Sequence, residues 1–502
     1  MDTTAQRLPR AGSQWLGHPR GLATLFFTEM WERFSYYGMR ALLLLYMTAE
    51  VNAGGLGLSV EASGAVYGLY TAAVYLSSLP GGWLADRVLG LRRSIFWGGV
   101  LISAGNLLLA VPGVKVFYLG LLLTCLGTGM LKPNTAVMVG ELYRGDSASR
   151  RDAAFSIYYM GINIGALLAP FVAGTIGETA GYRWGFLSAG IAMVIGLVQY
   201  RATAGWLGEA GLVPQPATVA ERARARRILT AGLTVLGVVI LVALLGMLRL
   251  DPVQLAGAAG TVMVALAVLF FGSVFFSRNL TGAEKKRVAV IAIFFLCSAL
   301  FWAGYEQAGT SLNLFARDET DRSFLGSWFP SGQHPVSWYQ APQAVFVLGF
   351  APVFAWIWMR LGARGRDPSA GVKFGFGLVL LGASFAVMLL AVNLVIHSGH
   401  TVLPWWLIGA YFLQTLGELC LSPIGLSNVT GLAPQRYAGQ MMGTWFLGMA
   451  IGNLAAGMMG GEASTTGAMH TQFLQMTLLG VVSGAIMLLI ARPVYRWMTA
   501  AG

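Results

Sequence analysis

Within one apolar run near residues 22–49, Glu29, Glu32, Arg33, Tyr36, Tyr37 and Arg40 recur at spacings of three and four. On a helix these spacings make one stripe. Three other apolar runs carry Lys132, Glu306 and Glu418 well inside them. An ionisable group at membrane depth is costly, so such residues face a bundle interior or a water-filled cavity and are usually functional. Glu29 and Arg33, at i and i+4, already neutralise each other in part. A static buried salt bridge that locks helices together accounts for Glu29, Glu32 and Arg33 alone. The further charges, spread over both halves of the chain, suit a gate better, with pairs that form in one state and separate in another.

Other chemistries lack their parts. His18, His334, His397, His400 and His470 all lie at or beyond the ends of the apolar runs, which argues against haem ligation and against histidine-based catalysis within a bilayer. Cys125, Cys297 and Cys420 are isolated in apolar runs with no C-x-x-C pair, so a disulfide framework, a zinc knot or a thiol redox motif is not expected. An intramembrane hydrolase or acyltransferase would need a base beside its nucleophile, and no buried histidine is available. A channel would need a ring of repeated polar positions, which these asymmetric charges do not form. The expectation is a protein that is not an enzyme and has neither cofactor nor metal.

The elements that hold these residues follow from composition. Of the 502 residues, 56% are apolar and only 11% charged, against roughly 25% charged in a soluble domain. A transmembrane helix needs about 20 apolar residues, and runs of that kind lie near 22–49, 60–86, 93–112, 115–141, 151–177 and 183–204. Two more follow a polar linker at about 205–226, near 227–248 and 254–277, and a second set lies near 286–316, 337–360, 371–396, 403–432, 437–460 and 469–496. The expected protein is therefore all-α and polytopic, with 14 transmembrane helices arranged as six, two and six. Its parts are a six-helix bundle at 1–204, a linker with two inserted helices at 205–284, and a second six-helix bundle at 285–502. The inserted pair has no ionisable residue well inside its runs and reads as lipid-facing scaffold.

An even number of spans puts both termini on one side, and the basic residues choose which. Arg87, Arg92, Arg93, Arg144, Arg150, Arg151, Arg222, Arg224, Arg226, Arg227, Lys285, Lys286, Arg287, Arg360, Arg364 and Arg366 all fall in the alternate loops that share the N-terminal side. The positive-inside rule makes that side cytoplasmic. Insertion and anionic lipid account for the net charge of +12, so nucleic acid is not an expected partner. No apolar stretch precedes the first run, and a cleavable signal peptide is not expected.

The run Glu29-Met30-Trp31-Glu32-Arg33-Phe34-Ser35-Tyr36-Tyr37-Gly38 resembles the E-x-x-E-R-F-x-Y-Y-G signature of the proton-dependent oligopeptide transporter (POT) family, within the major facilitator superfamily. Gly81-Gly82-Trp83-Leu84-Ala85-Asp86-Arg87 with Gly90, Arg92 and Arg93 resembles the superfamily's loop motif between helices two and three. The stretch Gly127 to Asn134, the stretch Phe155 to Tyr159 with Asn163, Gly165 and Pro170, the pairs Phe301-Trp302 and Glu306-Gln307, and Glu418 with Ser422-Pro423 are similar to further family motifs. The likeness runs from about Thr28 to Asn453, and bacterial members usually carry the two inserted helices.

This resemblance implies a major facilitator fold and a proton-coupled symporter that imports di- and tripeptides by alternating access across the inner membrane, working as a monomer in the lipid bilayer. It implies that Arg40 and Lys132 take the peptide carboxylate, that Glu418 and Asn163 take the ammonium, and that Tyr36, Tyr37 and Tyr75 contact substrate. Glu29, Glu32 and Glu306 would carry protons, with Arg33 and Arg40 as counter-charges. Arg40 with Glu306 would form an outer gate and Lys132 with Glu418 an inner one, while Asp86 and Arg87 would serve a cytoplasmic gate. Many members read Gln, two residues, then Asn-Pro at the start of the eighth helix; this chain has Gln340-Ala341-Pro342-Gln343, so Gln343 would stand in for the Asn at the peptide amino end. A proton-coupled transporter of another small solute (an anion, an amine or a drug) on the same fold is the alternative.

Overall fold

The computed structural model describes residues 14–212, 219–247, 251–278 and 280–499. Residues 1–13, the middle of the linker at 213–218 and the last residue of the run expected at 227–248 lie outside the described residues. Backbone polar groups in hydrocarbon find partners only within a helix or a closed barrel, and each expected apolar run carries helix. The helices are α1 (Arg20–Thr48), α2 (Val60–Leu84), α3 (Leu91–Leu109), α4 (Val114–Leu142), α5 (Ala148–Ala169), α6 (Thr175–Ala180), α7 (Tyr182–Thr203) and α8 (Val219–Leu244). They continue with α9 (Pro252–Phe275), α10 (Gly282–Tyr305), α11 (Ser311–Asp318), α12 (Ala341–Ala363), α13 (Ala370–Ser398), α14 (Trp405–Leu432), α15 (Ala438–Glu462) and α16 (Thr466–Met498). Among the described residues, 10 helical spans are long and apolar enough to cross a membrane.

Several boundaries differ from the sequence reading for local reasons. α8 begins at Val219, inside the expected linker, because Ala, Glu and Arg are good helix formers. The run expected at 151–177 is interrupted at Pro170–Gly174 by a π turn before α6: proline has no N–H to donate and its ring crowds the preceding turn. The run expected at 286–316 is interrupted by a 3-10 turn, Glu306–Gly309, between α10 and α11. α2 closes on another π turn, Ala85–Leu89, which holds Asp86 and Arg87. α10 starts on a capping box, with the Glu284 N–H donating to the Thr281 hydroxyl and the Thr281 N–H donating to the Glu284 carboxylate, which satisfies two otherwise orphan donors.

The helices gather into two compact units. One contains α1 as far as Met39, the chain from Ser77 to Ala169, α7 from Phe186, and α8. Its core includes Leu22, Leu25, Ile102, Leu131, Met138 and Met193. Small residues let its helices touch: a Cβ on Gly165 of α5 would strike the Met30 carbonyl of α1, and one on Gly98 of α3 would meet the Gly127 carbonyl of α4 at 2.8 Å.

The other unit contains the end of α1 from Arg40, α2 as far as Leu76, residues 170–185, and α9 through α16. There α2 crosses α15 backbone to backbone, since Cβ atoms on Gly64 and Gly457 would collide with the facing main chain. Ala65 and Ala72 of α2, Ala450 and Leu454 of α15 and Ala256 and Met263 of α9 form one buried cluster over this crossing. One face of the inserted α9 is therefore packed on protein rather than on lipid.

Candidate functional site

In the first unit the stripe of α1 is sealed from solvent: Glu29 and Glu32 are both 0% exposed and Arg33 is 3% exposed. The Arg33 guanidinium grips Glu32 with both Nε and Nη2, the latter donating to Oε1 at 2.6 Å. Its Nε also stands 3.5 Å from Glu29 Oε1. Glu29 Oε2 accepts from the Thr135 hydroxyl of α4 at 2.8 Å, and Tyr158 of α5 lies 2.8 Å from the same hydroxyl. Among the described residues, Oε1 of Glu29 finds no hydrogen-bond donor. The rings of Tyr36 and Tyr37 face the guanidinium, 4.9 and 5.9 Å from its carbon, where cation–π attraction adds to the pairing. Two carboxylates thus share one guanidinium, and with both ionised the set holds one uncompensated negative charge in a site that excludes water.

Lys132 and Asn163 belong to the same unit. Lys132 is half-buried on α4, directly before Pro133. Asn163 is buried on α5 and donates its amide to the Tyr159 carbonyl at 2.9 Å. Asp86 is half-buried and Arg87 exposed on the π turn after α2. Beyond that turn Arg92 ties down the chain that follows α7, donating from Nε to the Ala210 carbonyl at 2.7 Å and from Nη2 to the Gly208 carbonyl at 2.5 Å.

The second unit holds the other charges. Arg40 Nη2 lies 2.8 Å from Glu306 Oε2, with side-chain exposures of 5% and 6%, and Arg40 Nε donates to the Tyr67 hydroxyl at 2.6 Å. The 3-10 turn presents Glu306, and Gly309 on the same turn is what admits Tyr67, because a Cβ there would occupy the place of the phenol oxygen. The neighbouring residue Tyr305 donates its hydroxyl to Glu418 at 2.5 Å. Gln343 Nε2 donates to the Gln414 side-chain oxygen Oε1 at 3.2 Å. Gln414 precedes Glu418 by four residues on α14, so Gln343 is brought to the helix face that carries this acid. Tyr75 is half-buried against the cluster at the α2–α15 crossing.

Sequence reasoning passed over four participants. Tyr67 is flanked on α2 by Gly64 and Gly68, and such a stripe of small residues does mark the face that meets another helix. Thr135 and Tyr305 carry no signal of their own, being ordinary hydroxyls within apolar runs. Glu178 lies one residue past the expected end of the fifth run, where an acid reads as an interfacial charge. In the structure it accepts from the Val336 N–H at 2.7 Å and from the Ser337 N–H at 2.8 Å.

A buried carboxylate–guanidinium set on α1, a second on α1 and the α10–α11 turn, and an acid on α14 occur together in a chain whose residues 92–466 match the sequence model of the POT family. The chain belongs to that family. This POT-family protein is 40% identical to the peptide transporter YePEPT of Yersinia enterocolitica, over 97% of this chain and 96% of the relative. It is 37% identical to a di-/tripeptide transporter of Lactococcus lactis subsp. cremoris, over 98% of this chain and 99% of the relative. Its fold is similar to the crystal structure of a peptide transporter POT in complex with sulfate, with a TM-score of 0.90, 40% identity and 98% of each chain covered. These POT-family relatives are transporters rather than enzymes, and the protein is a multi-pass, all-helical membrane transporter.

Proposed function

We propose that this protein is a proton-coupled symporter that imports di- and tripeptides by alternating access. The proposed architecture is the major facilitator one, with fourteen transmembrane helices: a six-helix bundle at 1–204, the linker and inserted pair at 205–284, and a second bundle at 285–502. It works as a monomer in the cell inner membrane with both termini cytoplasmic, so that the Thr48 end of α1 faces outward.

The observation that carries this reading is the sealed set Glu29, Glu32 and Arg33, in which two carboxylates meet one guanidinium. A proton on one acid balances the set, and proton release restores the competition for Arg33. Glu29 is the better placed to exchange that proton, because Glu32 is held by two guanidinium nitrogens and Glu29 keeps one oxygen with no hydrogen-bond donor among the described residues. One proton crossing ~100 mV supplies roughly 2.3 kcal/mol. That corresponds to about fortyfold accumulation at roughly 1.4 kcal/mol per tenfold.

Arg40 and Lys132 would take the peptide carboxylate, and Glu418 with Asn163 the ammonium, with Gln343 near the amino end and Tyr36, Tyr37 and Tyr75 beside the peptide. Arg40 and Glu418 already hold protein partners, Glu306 with Tyr67 and Tyr305 respectively. An incoming peptide end would exchange one charge-assisted partner for another, which lowers the cost of stripping water from both. Arg40 with Glu306 serves as the outer gate and Lys132 with Glu418 as the inner gate, with Asp86 and Arg87 acting on the cytoplasmic side.

Uptake of radiolabelled dialanine into proteoliposomes under an inward proton gradient tests the reading. The wild type should accumulate the peptide, and unlabelled di- and tripeptides should compete. Glu29→Gln and Glu32→Gln should lose accumulation yet keep peptide counterflow, since exchange needs only the peptide site. Concentrative uptake that survives in both variants would refute the proton assignment, and competition by unrelated solutes alone would refute the peptide one.

A further inference from the structure

We propose that Glu178 is a gating residue, a second latch that holds the outer gate shut by gripping the start of the α12 segment. The inference rests on the alternating-access reading, and it concerns a contact outside the proton and peptide sites proposed above. Glu178 lies near the end of the span Ser149–Ala180, and Val336 opens the span Val336–Ala363. The two are 158 residues apart and belong to opposite proposed bundles.

The Glu178 carboxylate takes both backbone N–H groups at the head of the 3-10 turn Val336–Gln340, Val336 on Oε2 and Ser337 on Oε1. Those first N–H groups have no partner within their own helix, and the helix dipole favours an anion there. The grip is reinforced one turn earlier on α6, where the Thr175 hydroxyl accepts from the Trp338 indole N–H at 2.8 Å. The ring of Phe171 stands edge-on to Trp338 at 5.1 Å. Ser337 itself fills the space left by the missing side chain of Gly174, where any Cβ would collide with its hydroxyl. The π turn at Pro170–Gly174 aims this whole face, Phe171, Gly174, Thr175 and Glu178, at residues 336–338.

A built contact of this kind must break for the two proposed bundles to part on the outer side, because the backbone N–H groups and the carboxylate come from different proposed bundles, although they pack within one compact unit here. Arg40 and Glu306 exchange partners with peptide and proton during transport. Glu178 has no such exchange to make, so its contribution is to set how often the gate opens.

The test uses the full chain in detergent with its three native cysteines replaced and Gln340→Cys as a reporter. Gln340 is 9% exposed and, among the described residues, its amide nitrogen has no hydrogen-bond partner, so the change is mild and the thiol is sealed while the gate is shut. Labelling by a membrane-impermeant maleimide reads gate opening whatever the cargo. In Glu178→Gln one oxygen is replaced by an NH₂ that faces a backbone N–H, and labelling should accelerate by about tenfold or more, a shift of about 1.4 kcal/mol. Thr175→Val, which loses only the Trp338 bond, should give a smaller rise. An unchanged labelling rate in folded Glu178→Gln, even with a lowered melting temperature, would show a purely structural role and overturn the proposal. If that variant fails to accumulate, Thr175→Val decides, and an unchanged rate there overturns it equally. Faster labelling in a protein that does not take up dialanine would sink the peptide reading and leave the latch standing.

Discussion

If the Arg40–Glu306 pair is the proposed outer gate, breaking it should open that gate by an amount that the geometry sets. The two groups are 2.8 Å apart and nearly sealed from solvent. For unit charges ~4 Å apart at an effective dielectric of ~20, the attraction is ~4 kcal/mol. Loss of one partner from a buried pair typically costs about 3–5 kcal/mol, because the other charge is left behind. Arg40 keeps the Tyr67 hydroxyl after Glu306→Met, a bond worth roughly 1 kcal/mol, so a net loss of about 3 kcal/mol in the closed state is expected. At roughly 1.4 kcal/mol per tenfold, that is a rise of about a hundredfold in the open population. Arg40→Met should do as much, for it leaves Glu306 without its counter-charge. The double variant leaves neither charge of this pair behind, and two thioether chains fill comparable volume, so it should return to within about tenfold of the wild type. The assay is the labelling rate of the cysteine at position 340 in all four proteins, under conditions where closing outruns labelling. Additive effects in the double variant, or single variants within twofold of wild type, would refute the reasoning: the pair would then not be holding the closed side.

The α2–α15 crossing gives a steric test. Gly457→Val should push the two backbones apart, at about 1–3 kcal/mol for overpacking a tight contact, and should raise labelling without touching any charge; an unchanged rate would mean that the crossing tolerates separation. The loop before α12 gives a pH test. Burial holds the His334 imidazole below its ordinary pKa of 6.5; the hydrogen bond to the Arg322 carbonyl opposes this, the Arg322 guanidinium lowers it further and Asp321 opposes. Above that value both the folded and unfolded chains are neutral at His334 and it contributes nothing; as the pH falls below it the unfolded chain takes the proton first, and folded stability drops. His334→Gln should remove this leg, so the difference in melting temperature between wild type and variant should shift in favour of the variant between about pH 7.5 and about pH 5.5. A difference that stays constant across that range would refute it.

The arrangement of α1 was legible because a 3.6-residue period and an apolar background leave few choices. Glu29, Glu32, Arg33, Tyr36 and Tyr37 had to share a stripe, and a charged stripe cannot face hydrocarbon. The helix runs were legible for the same reason, lipid offering the backbone no partner but itself. Where the reading slipped by several residues, at the start of α8 and at the π turn of Pro170, local propensity and a missing N–H outweighed hydropathy.

Pairing is another matter. The sequence names Arg40 and Glu306 as ionisable residues in two runs, but it contains nothing that says Arg40 also meets Tyr67, since that depends on Gly309 having no side chain and on the turn that breaks α10 from α11. Nor does it say that Glu29 and Glu32 are unequal. Their spacings to Arg33 allow either to be gripped, and only the folded geometry puts two guanidinium nitrogens on Glu32 and turns one oxygen of Glu29 to Thr135 instead. Glu178 is the clearest case: on the sequence it is an acid just past an apolar run, and in the structure it caps a helical turn 158 residues away. What the sequence by itself determined is therefore what depends on periodicity and solvent: the helices, the buried stripe and the family motifs. What tertiary structure decided is which donor meets which acceptor, because those distances are set by where glycines let helices touch and where turns re-aim them, and no one-dimensional pattern encodes both sides of such a contact.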